Sequence, residues 1–226
     1  MTTIAYDGRT LAVDGGVFAG PLKQPCIKLH RINAKETPLS VLDRLGLLGF
    51  GKEAEFCYAW CGTVAEINLV KKWLAEGGEI PKLDQDVSDN GLIVHKDTGR
   101  VFSLLPNLTT MEVTIPTASG SGMGYAMGCL DSGLYAIDAI RKAIHRTTYA
   151  GIGVVFYDIS TGVIKATTNE LNNLIQVISE SSKALKPLCE KDTEARRYYS
   201  FLSNGLERAQ KVTAQMAEKL GGLTIP

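Results

Sequence analysis

Thr2 stands directly behind the initiator methionine, so removal of Met1 would place a hydroxyl and a free α-amine on one terminal residue. A threonine hydroxyl is a poor nucleophile near neutral pH and needs a base. A terminal α-amine, with a reference pKa near ~8, can accept the hydroxyl proton directly or through one water. The small side chain of threonine is also the context in which a preceding methionine is normally removed. Thr2 is therefore a candidate N-terminal nucleophile, and the alternative is that it only begins a strand.

A glycine-rich stretch, Gly120-Ser121-Gly122-Met123-Gly124-Tyr125-Ala126, is the second group of residues with chemical potential. Such a turn at the start of a helix offers backbone N–H groups to an anion, and Ser121 could cap that helix. The stretch is not a phosphate-binding loop, because the Gly-Lys-Ser/Thr ending is missing. It is not a dinucleotide-binding loop either. A strand is predicted before it, around 111–116, but no acidic residue follows in a βαβ context about twenty residues on.

Three segments have the pattern strand, turn, strand, which predicts antiparallel hairpins. The Asp7-Gly8 pair is a strong signal for a two-residue turn. Gly99 and Gly162 stand late in their turns, where a positive φ is often needed. The segments are TTIAYDGRTLAVD, GLIVHKDTGRVFSLL and GVVFYDISTGVIKAT, and EFCYAWCGT predicts a further buried strand.

Helical periodicity occupies the chain between these hairpins. It predicts a helix from Val64 to Glu76 that ends at Gly77-Gly78. Further helices are predicted over 38–47, 123–129 and 134–145, and from about 169 nearly to the C-terminus. Hairpins alternating with helices favour antiparallel sheets packed against helices, an α+β layered fold. The apolar face of the predicted helix from Val64 to Glu76 comprises Val64, Ile67, Leu69, Val70, Trp73 and Leu74.

The composition excludes some classes of function. Lys plus Arg and Asp plus Glu are both 24, so the net charge is zero, which argues against nucleic-acid binding through bulk charge. No apolar run is long enough to cross a membrane, and the N-terminal residues lack the basic region followed by an apolar core that is typical of a secretory signal. The odd count of five cysteines predicts reduced thiols and a cytoplasmic setting. Cys57 and Cys61 have CxxxC spacing, but without a second pair of ligands they are predicted to be buried strand thiols rather than a zinc site. No metal or cofactor is predicted, and the three histidines are interpreted as structural.

Four separated motifs, in a fixed order over roughly residues 2 to 165, resemble one family. The glycine-rich stretch and the helices after it resemble those of proteasome β-type subunits and of the peptidase subunit of the bacterial two-component ATP-dependent protease. The opening Thr2-Thr3-Ile4, with its hairpin and Asp14-Gly15, is similar to the start of these N-terminal nucleophile hydrolases. The strand CIKLHRI resembles the one that carries their essential lysine, which corresponds to Lys28. The stretch AWCGTVAEI is similar to their Gly-x-x-Ala-Asp step from strand to helix, with Gly62, Ala65 and Glu66 at those places.

The resemblance implies a fold and a set of roles. The fold is a four-layer αββα sandwich over residues 2–165. The helical pattern of the residues that follow predicts a separate helical C-terminal region over 166–226. The activity is that of a threonine peptidase, which forms an acyl-enzyme on Thr2. Lys28 would lower the pKa of the terminal amine by like-charge repulsion, and Asp14 would hold Lys28 by a charge-assisted hydrogen bond. The Gly62 N–H would stabilise the oxyanion, and the Ser121 hydroxyl would lie beside the terminal amine. The implied partners are polypeptide substrates, further copies of the chain in a ring, and an ATP-driven unfoldase, with neither nucleic acid nor membrane.

One expected pair of residues is missing. The family usually carries an aspartate and then a Ser-Gly pair after the second alanine-rich helix, where this chain has Thr147 and Ala150. Because those residues help to orient the terminus, two alternatives stay open. One is a catalytically inactive ring subunit or scaffold of the same fold. The other is an amidase that acts on small molecules, since a fold does not fix a function.

Overall fold

The computed structural model describes residues 2–19, 22–25, 28–83, 91–146 and 153–167. All of these except Thr167 belong to one unit, Met1–Ala166. The helices predicted from about 169 onward, and Thr147 and Ala150, lie outside the described residues. Among the described residues, no helix is long and apolar enough to cross a membrane.

The unit contains two five-stranded sheets in which every neighbouring pair of strands is antiparallel. The first sheet has the spatial order β10 (Thr117–Gly120), β1 (Thr3–Tyr6), β2 (Thr10–Asp14), β11 (Val154–Asp158) and β12 (Val163–Ala166). The second sheet has the order β5 (Leu29–Asn33), β6 (Glu55–Trp60), β7 (Gly91–His95), β8 (Val101–Leu104) and β9 (Thr110–Glu112). A separate two-stranded hairpin consists of β3 (Gly16–Ala19) and β4 (Leu22–Pro25).

Four α-helices and one short 3-10 helix complete the described chain. They are α1 (Leu39–Arg44), the 3-10 helix Leu48–Phe50, α2 (Val64–Glu76), α3 (Met123–Asp131) and α4 (Ala136–Arg146). The predicted bounds of α2 are confirmed at both ends. The predicted 38–47 helix is shorter. Helix α3 begins at the predicted residue and ends two residues later, and α4 begins two residues and ends one residue later than predicted.

The two faces of each sheet pack into different cores, which produces four layers. On β6, Cys57 and Ala59 point into a core shared with Ile4 and Val13 of the first sheet. The alternate β6 residues, such as Tyr58, lie in a second core with α1 and α2. A third core joins the opposite face of the first sheet to α3 and α4. The order of layers is helices, sheet, sheet, helices, and the predicted αββα sandwich of antiparallel sheets is confirmed.

The face of the first sheet that meets the helices carries a row of alanines. Ala118, Ala5 and Ala12 are neighbours across β10, β1 and β2, and all three belong to the core with α3 and α4. Helix α4 also presents small residues, with Ala139 and Ala143 fully buried. Small side chains on both partners allow the helix backbones to approach the sheet closely.

The predicted buried face of α2 is wrong at two positions. Val64 and Leu69 are 43% and 46% exposed, whereas Ile67, Val70 and Trp73 are buried, as is Leu74. At 100° per residue, Val64 and Leu69 each lie roughly 110° from the centre of the buried face, on opposite sides of it. A single helix face is too narrow to include them.

One predicted turn and one predicted strand also differ. The β1–β2 turn has the predicted two residues but is shifted by one position: Asp7 N donates to Thr10 O at 3.4 Å, so Gly8 and Arg9 form the turn. Asp7 Oδ1 also accepts hydrogen bonds from the N–H groups of Arg9 and Thr10 at 2.9 and 2.8 Å. The strand expected over 111–116 is divided: residues 111–112 end β9 in the second sheet, and β10 begins at Thr117 in the first. Pro116 has no N–H to give to a ladder, so the chain changes sheets there.

Candidate active site

The start of the chain is fixed against the glycine-rich stretch. Thr3 pairs with Gly120 at the end of the β1–β10 ladder. One residue earlier, the Thr2 carbonyl oxygen accepts a hydrogen bond from Ser121 N at 2.9 Å. Thr2 is only 2% exposed, and its Oγ1 has no hydrogen-bond partner among the described residues. The candidate nucleophile is therefore held by its backbone, while its hydroxyl is left unengaged by the described chain.

Asp14 and Lys28 form an ion pair in the interior. Lys28 Nζ donates to Asp14 Oδ2 at 2.8 Å, and both side chains are 0% exposed. Asp14 ends β2 in the first sheet and Lys28 directly precedes β5 in the second, so the pair joins the two sheets. Pairing compensates part of the cost of placing two such groups out of contact with water.

The same carboxylate also holds the candidate nucleophile's peptide group. Asp14 Oδ1 accepts a hydrogen bond from Thr3 N at 2.6 Å. The peptide group between Thr2 and Thr3 is thus fixed at both ends, with its N–H on Asp14 and its C=O on Ser121 N. The structure brings together Asp14, Lys28, Ser121 and the backbone of Thr2, four residues that the sequence places in one site.

The Ser121 side chain lies on the Thr2 carbonyl. Its Oγ donates to Thr2 O at 3.4 Å, which is a long hydrogen bond beside the shorter one from its own N–H. Helix α3 has Gly122 as its N-cap residue and no side-chain capping bond. The alternative interpretation of Ser121 as the helix cap is therefore wrong, and its place beside the terminal amine stays a prediction.

Glycine is required at two positions of this stretch. Gly120 has φ +90°, and a Cβ there would overlap the Thr2 carbonyl oxygen and lie 2.8 Å from Cys61 Sγ. A Cβ at Gly122 would overlap the Thr3 Oγ1. The close approach of this stretch to the first residues of the chain explains why the motif has glycine there.

Gly62 follows β6 and precedes the N-cap of α2. Thr63 Oγ1 accepts from Glu66 N at 3.2 Å, and Glu66 Oε2 accepts from Thr63 N at 2.7 Å, which is a capping box. A Cβ at Gly62 would lie 2.7 Å from Trp60 Nε1 and 2.8 Å from Glu66 Oε2, so a larger residue does not fit. The role of the Gly62 N–H towards an oxyanion stays a prediction. The capping box was missed, although Thr-x-x-Glu before an apolar run is its sequence signal.

The cysteines near this site are buried thiols. Cys57 lies in β6 and Cys61 directly after it, and neither forms a disulfide. Burial raises the pKa of Cys61 to about 12 and raises that of Cys57 further, so both are protonated at neutral pH. Neither cysteine is therefore a nucleophile. Among the described residues, no group of three or more His, Cys, Asp or Glu side chains could hold a metal ion.

Two surface cavities lie on the other side of the second sheet, against the end of α2. Their volumes are about 350 and 250 Å³, and both are lined by Trp73 and Ile80. Neither is lined by any of the predicted site residues. The cavities are part of the α1–α2 surface and not of the site at Thr2.

Comparison with known proteins gives matches in structure alone. The sequence matches no family model and no curated protein. The chain is similar to the BPH protein of Thiobacillus denitrificans in complex with epoxomicin, at 17% identity over 69% of this chain and 96% of that chain, with a TM-score of 0.47. It is also similar to HslV of Trypanosoma brucei, at 15% identity over 70% of this chain and 99% of that chain, with a TM-score of 0.42. At these TM-scores the likeness carries no argument, and the αββα fold is assigned from the strand orders and core layers described above.

Proposed function

We propose that the chain is a threonine peptidase, in which Thr2 becomes the nucleophile once Met1 has been removed. The observation that supports this most is the fixed peptide group between Thr2 and Thr3. It lies between the buried Asp14–Lys28 pair and Ser121, while the Thr2 Oγ1 has no partner among the described residues. A buried ion pair is costly to assemble. A catalytic role of Thr2 would explain why this ion pair lies against the second and third residues of the chain.

The proposed reaction begins with proton transfer within Thr2. The free α-amine takes the proton of Oγ1 as the oxygen attacks the carbonyl carbon of a peptide bond. The Lys28 ammonium, held in place by Asp14, favours the developing negative charge on the oxygen. In the tetrahedral intermediate, the former carbonyl oxygen carries the charge and accepts a hydrogen bond from the Gly62 N–H.

Collapse of the intermediate completes the acylation. The C–N bond breaks, the α-ammonium returns its proton to the leaving amine, and an ester remains on Thr2 Oγ1. A water molecule then attacks the ester with the same amine as base, which releases the carboxylic acid and restores the hydroxyl. The proposal includes polypeptides as substrates, assembly of copies into a ring, an ATP-driven unfoldase as partner and a cytoplasmic setting. The sequence resemblance supports these additions.

Covalent labelling of the terminal threonine tests the proposal. Intact mass and N-terminal sequencing first establish whether the chain begins at Thr2. The protein is then treated with a peptide β-lactone or epoxyketone, and the modified residue is found by peptide mapping. We expect one adduct, on Thr2, that is absent in Thr2→Ala and in Lys28→Met. Thr3→Val is the matched control, because Thr3 Oγ1 is also buried and without a described partner, and this variant should still be labelled at Thr2.

Three outcomes contradict the peptidase proposal. A retained Met1 leaves no terminal amine on Thr2 and rejects the mechanism. A chain that begins at Thr2 but is neither labelled nor active on peptides favours the inactive ring subunit. Turnover of small amides without turnover of peptides favours the amidase.

A further inference from the structure

Cys61 contacts the candidate nucleophile from the opposite sheet. Its Sγ lies 3.9 Å from the Thr2 carbonyl oxygen and 4.0 Å from Ser119 Oγ, both within hydrogen-bond reach of sulfur. Cys61 is 6% exposed and Ser119 is 1% exposed. Because Cys61 directly follows β6 while Ser119 belongs to β10, these contacts join the second sheet to the first.

The protonation state of Cys61 decides the direction of the bonds. Burial raises the pKa of its thiol to about 12, so the sulfur keeps its proton at neutral pH. A thiol has one proton to donate and accepts weakly. The S–H group therefore donates to Thr2 O, and the Ser119 hydroxyl can donate to the sulfur.

The contact between Cys61 Sγ and the Thr2 carbonyl oxygen connects two parts of the proposed mechanism. On one side, the Thr2 Oγ1 is buried and has no partner among the described residues, so the described hydrogen bonds position Thr2 through its backbone alone. On the other side, the carbonyl of Cys61 and the N–H of Gly62 belong to one peptide group. The Sγ–O contact thus connects the nucleophile's backbone to the residue that directly precedes the proposed oxyanion donor.

We propose that Cys61 is a positioning residue, whose S–H bond to the Thr2 carbonyl holds the nucleophile in register with the Gly62 N–H across the two sheets. This inference rests on the proposed peptidase function. The bond adds to the one from Ser121 N. Ser121 directly follows β10 and Thr2 directly precedes β1, both strands of the first sheet, so that bond cannot fix the distance between the sheets. A Cβ at Gly120 would lie 2.8 Å from Cys61 Sγ, so the glycine at position 120 leaves room for the sulfur.

The chain contains a matched control at Cys57. Cys57 is four residues earlier, so its side chain lies on the same side of β6, and it is buried in the same core between the sheets. Its substitution removes a buried thiol without removing a described bond to Thr2. A general packing effect would appear in both cysteine variants, whereas a positioning effect would appear at Cys61 alone.

Kinetics of the variants test the proposal. Cys61→Ala, Cys61→Ser and Cys57→Ala are compared with the unmodified enzyme in the rate constant for labelling by the β-lactone and in kcat and KM for a fluorogenic peptide. Loss of one hydrogen bond predicts that Cys61→Ala lowers the labelling rate constant and kcat by about two- to tenfold. We expect KM to be unchanged, Cys61→Ser to recover part of the loss because it keeps a donor, and Cys57→Ala to match the unmodified enzyme. Equal losses in Cys57→Ala and Cys61→Ala, no loss in Cys61→Ala, or equal kcat in the Ala and Ser variants would each overturn the proposal.

An infrared measurement gives a readout that does not depend on activity or on the folding of the alanine variant. The S–H stretching band of Cys61 is isolated as the difference between the unmodified protein and Cys61→Ser. We expect it at a lower frequency than the band of a simple thiol in an apolar solvent, because the S–H group donates a hydrogen bond. A band at the frequency of a free thiol rejects the contact even if the enzyme is active. A hydrogen-bonded band in a protein whose Thr2 does not react rejects the peptidase function, and the positioning role with it, while leaving the contact in place.

Discussion

Replacing Lys28 by methionine should destabilise the fold strongly, because the substitution leaves the Asp14 carboxylate buried without its counterion. Both side chains are 0% exposed, so water cannot compensate for the lost charge. Breaking a buried pair by removing one partner costs about 3–5 kcal/mol. Since whole domains are stable by about 5–15 kcal/mol, this loss is a large fraction of the free energy of unfolding.

A double-mutant cycle separates the ion pair from the shape of the side chains. Asp14→Asn keeps an oxygen that can accept from Thr3 N, but its amide N–H₂ group would then face the Lys28 ammonium, donor against donor. Urea unfolding is monitored through the fluorescence of the buried Trp60 and Trp73. It gives the free energy of unfolding of each single variant and of the double variant Asp14→Asn/Lys28→Met. We expect the double variant to be more stable than Lys28→Met, because it contains no uncompensated charge.

An exposed ion pair of similar length is the control. Arg100 and Glu112 are bonded at 2.6 Å with side chains 48% and 49% exposed. Glu112→Gln should shift the urea midpoint by only a small part of the shift seen in Lys28→Met, because solvent screens this pair. If Lys28→Met loses no more stability than Glu112→Gln, or if the coupling energy in the cycle is near zero, the argument from burial is wrong.

Three further predictions concern stability. Burial, and then the positive charge of Lys71, lower the pKa of His30 from 6.5 to about 4. As the pH falls, the unfolded chain therefore binds a proton at His30 before the folded protein does. About 3 kcal/mol of folding stability that is present above pH ~6.5 should be lost as the pH falls to ~4. Urea titrations across this range should show a flatter profile for His30→Gln, and an unchanged slope would contradict the assignment. Gly120→Ala should cost at least about 2 kcal/mol, through its positive φ and its overlap with Thr2 O. Gly124 belongs to the same glycine-rich stretch, but a Cβ added there would have no atom within 4 Å, so Gly124→Ala should stabilise the protein by about 0.5–1 kcal/mol in thermal unfolding. If both glycine variants were destabilised, or both stabilised, this reasoning would be refuted. Thr63→Ala should cost about 1 kcal/mol of the unfolding free energy by removing the α2 cap, and Thr63→Ser should not.

Local patterns were sufficient to predict most of the elements. The alternation in β1 and β2, and the periodicity with its glycine stop in α2, are properties of neighbouring residues, and those elements were found. The β3–β4 hairpin was missed, because its segment has no clear alternation of polar and apolar residues.

The contacts of the candidate site depend on distant parts of the chain. Asp14 and Lys28 were predicted as a pair only through the family resemblance, and the position of Thr3 N on the same carboxylate was not predicted. The Cys61 contact joins residues 59 apart in the chain, and a buried cysteine has no periodic signal that would distinguish it from Cys57. Asp7 is a similar case. Its turn is visible in the sequence, but its Oδ2 also accepts from Ala136 N at 2.8 Å, 129 residues away.

The hydrogen bond from Ala136 N to Asp7 Oδ2 connects the end of the short strand β1 to helix α4. The alanine row presents only methyl groups to α3 and α4. Two further features anchor the helices at their starts: Asp7, just after β1, accepts from Ala136 N in α4, and Gly122, the N-cap of α3, lies too close to Thr3 for a Cβ. One four-residue strand therefore ties both helices to the sheet and carries the chain terminus as well. A one-residue insertion in β1 would turn its side chains to the wrong faces and pull both anchors out of place together.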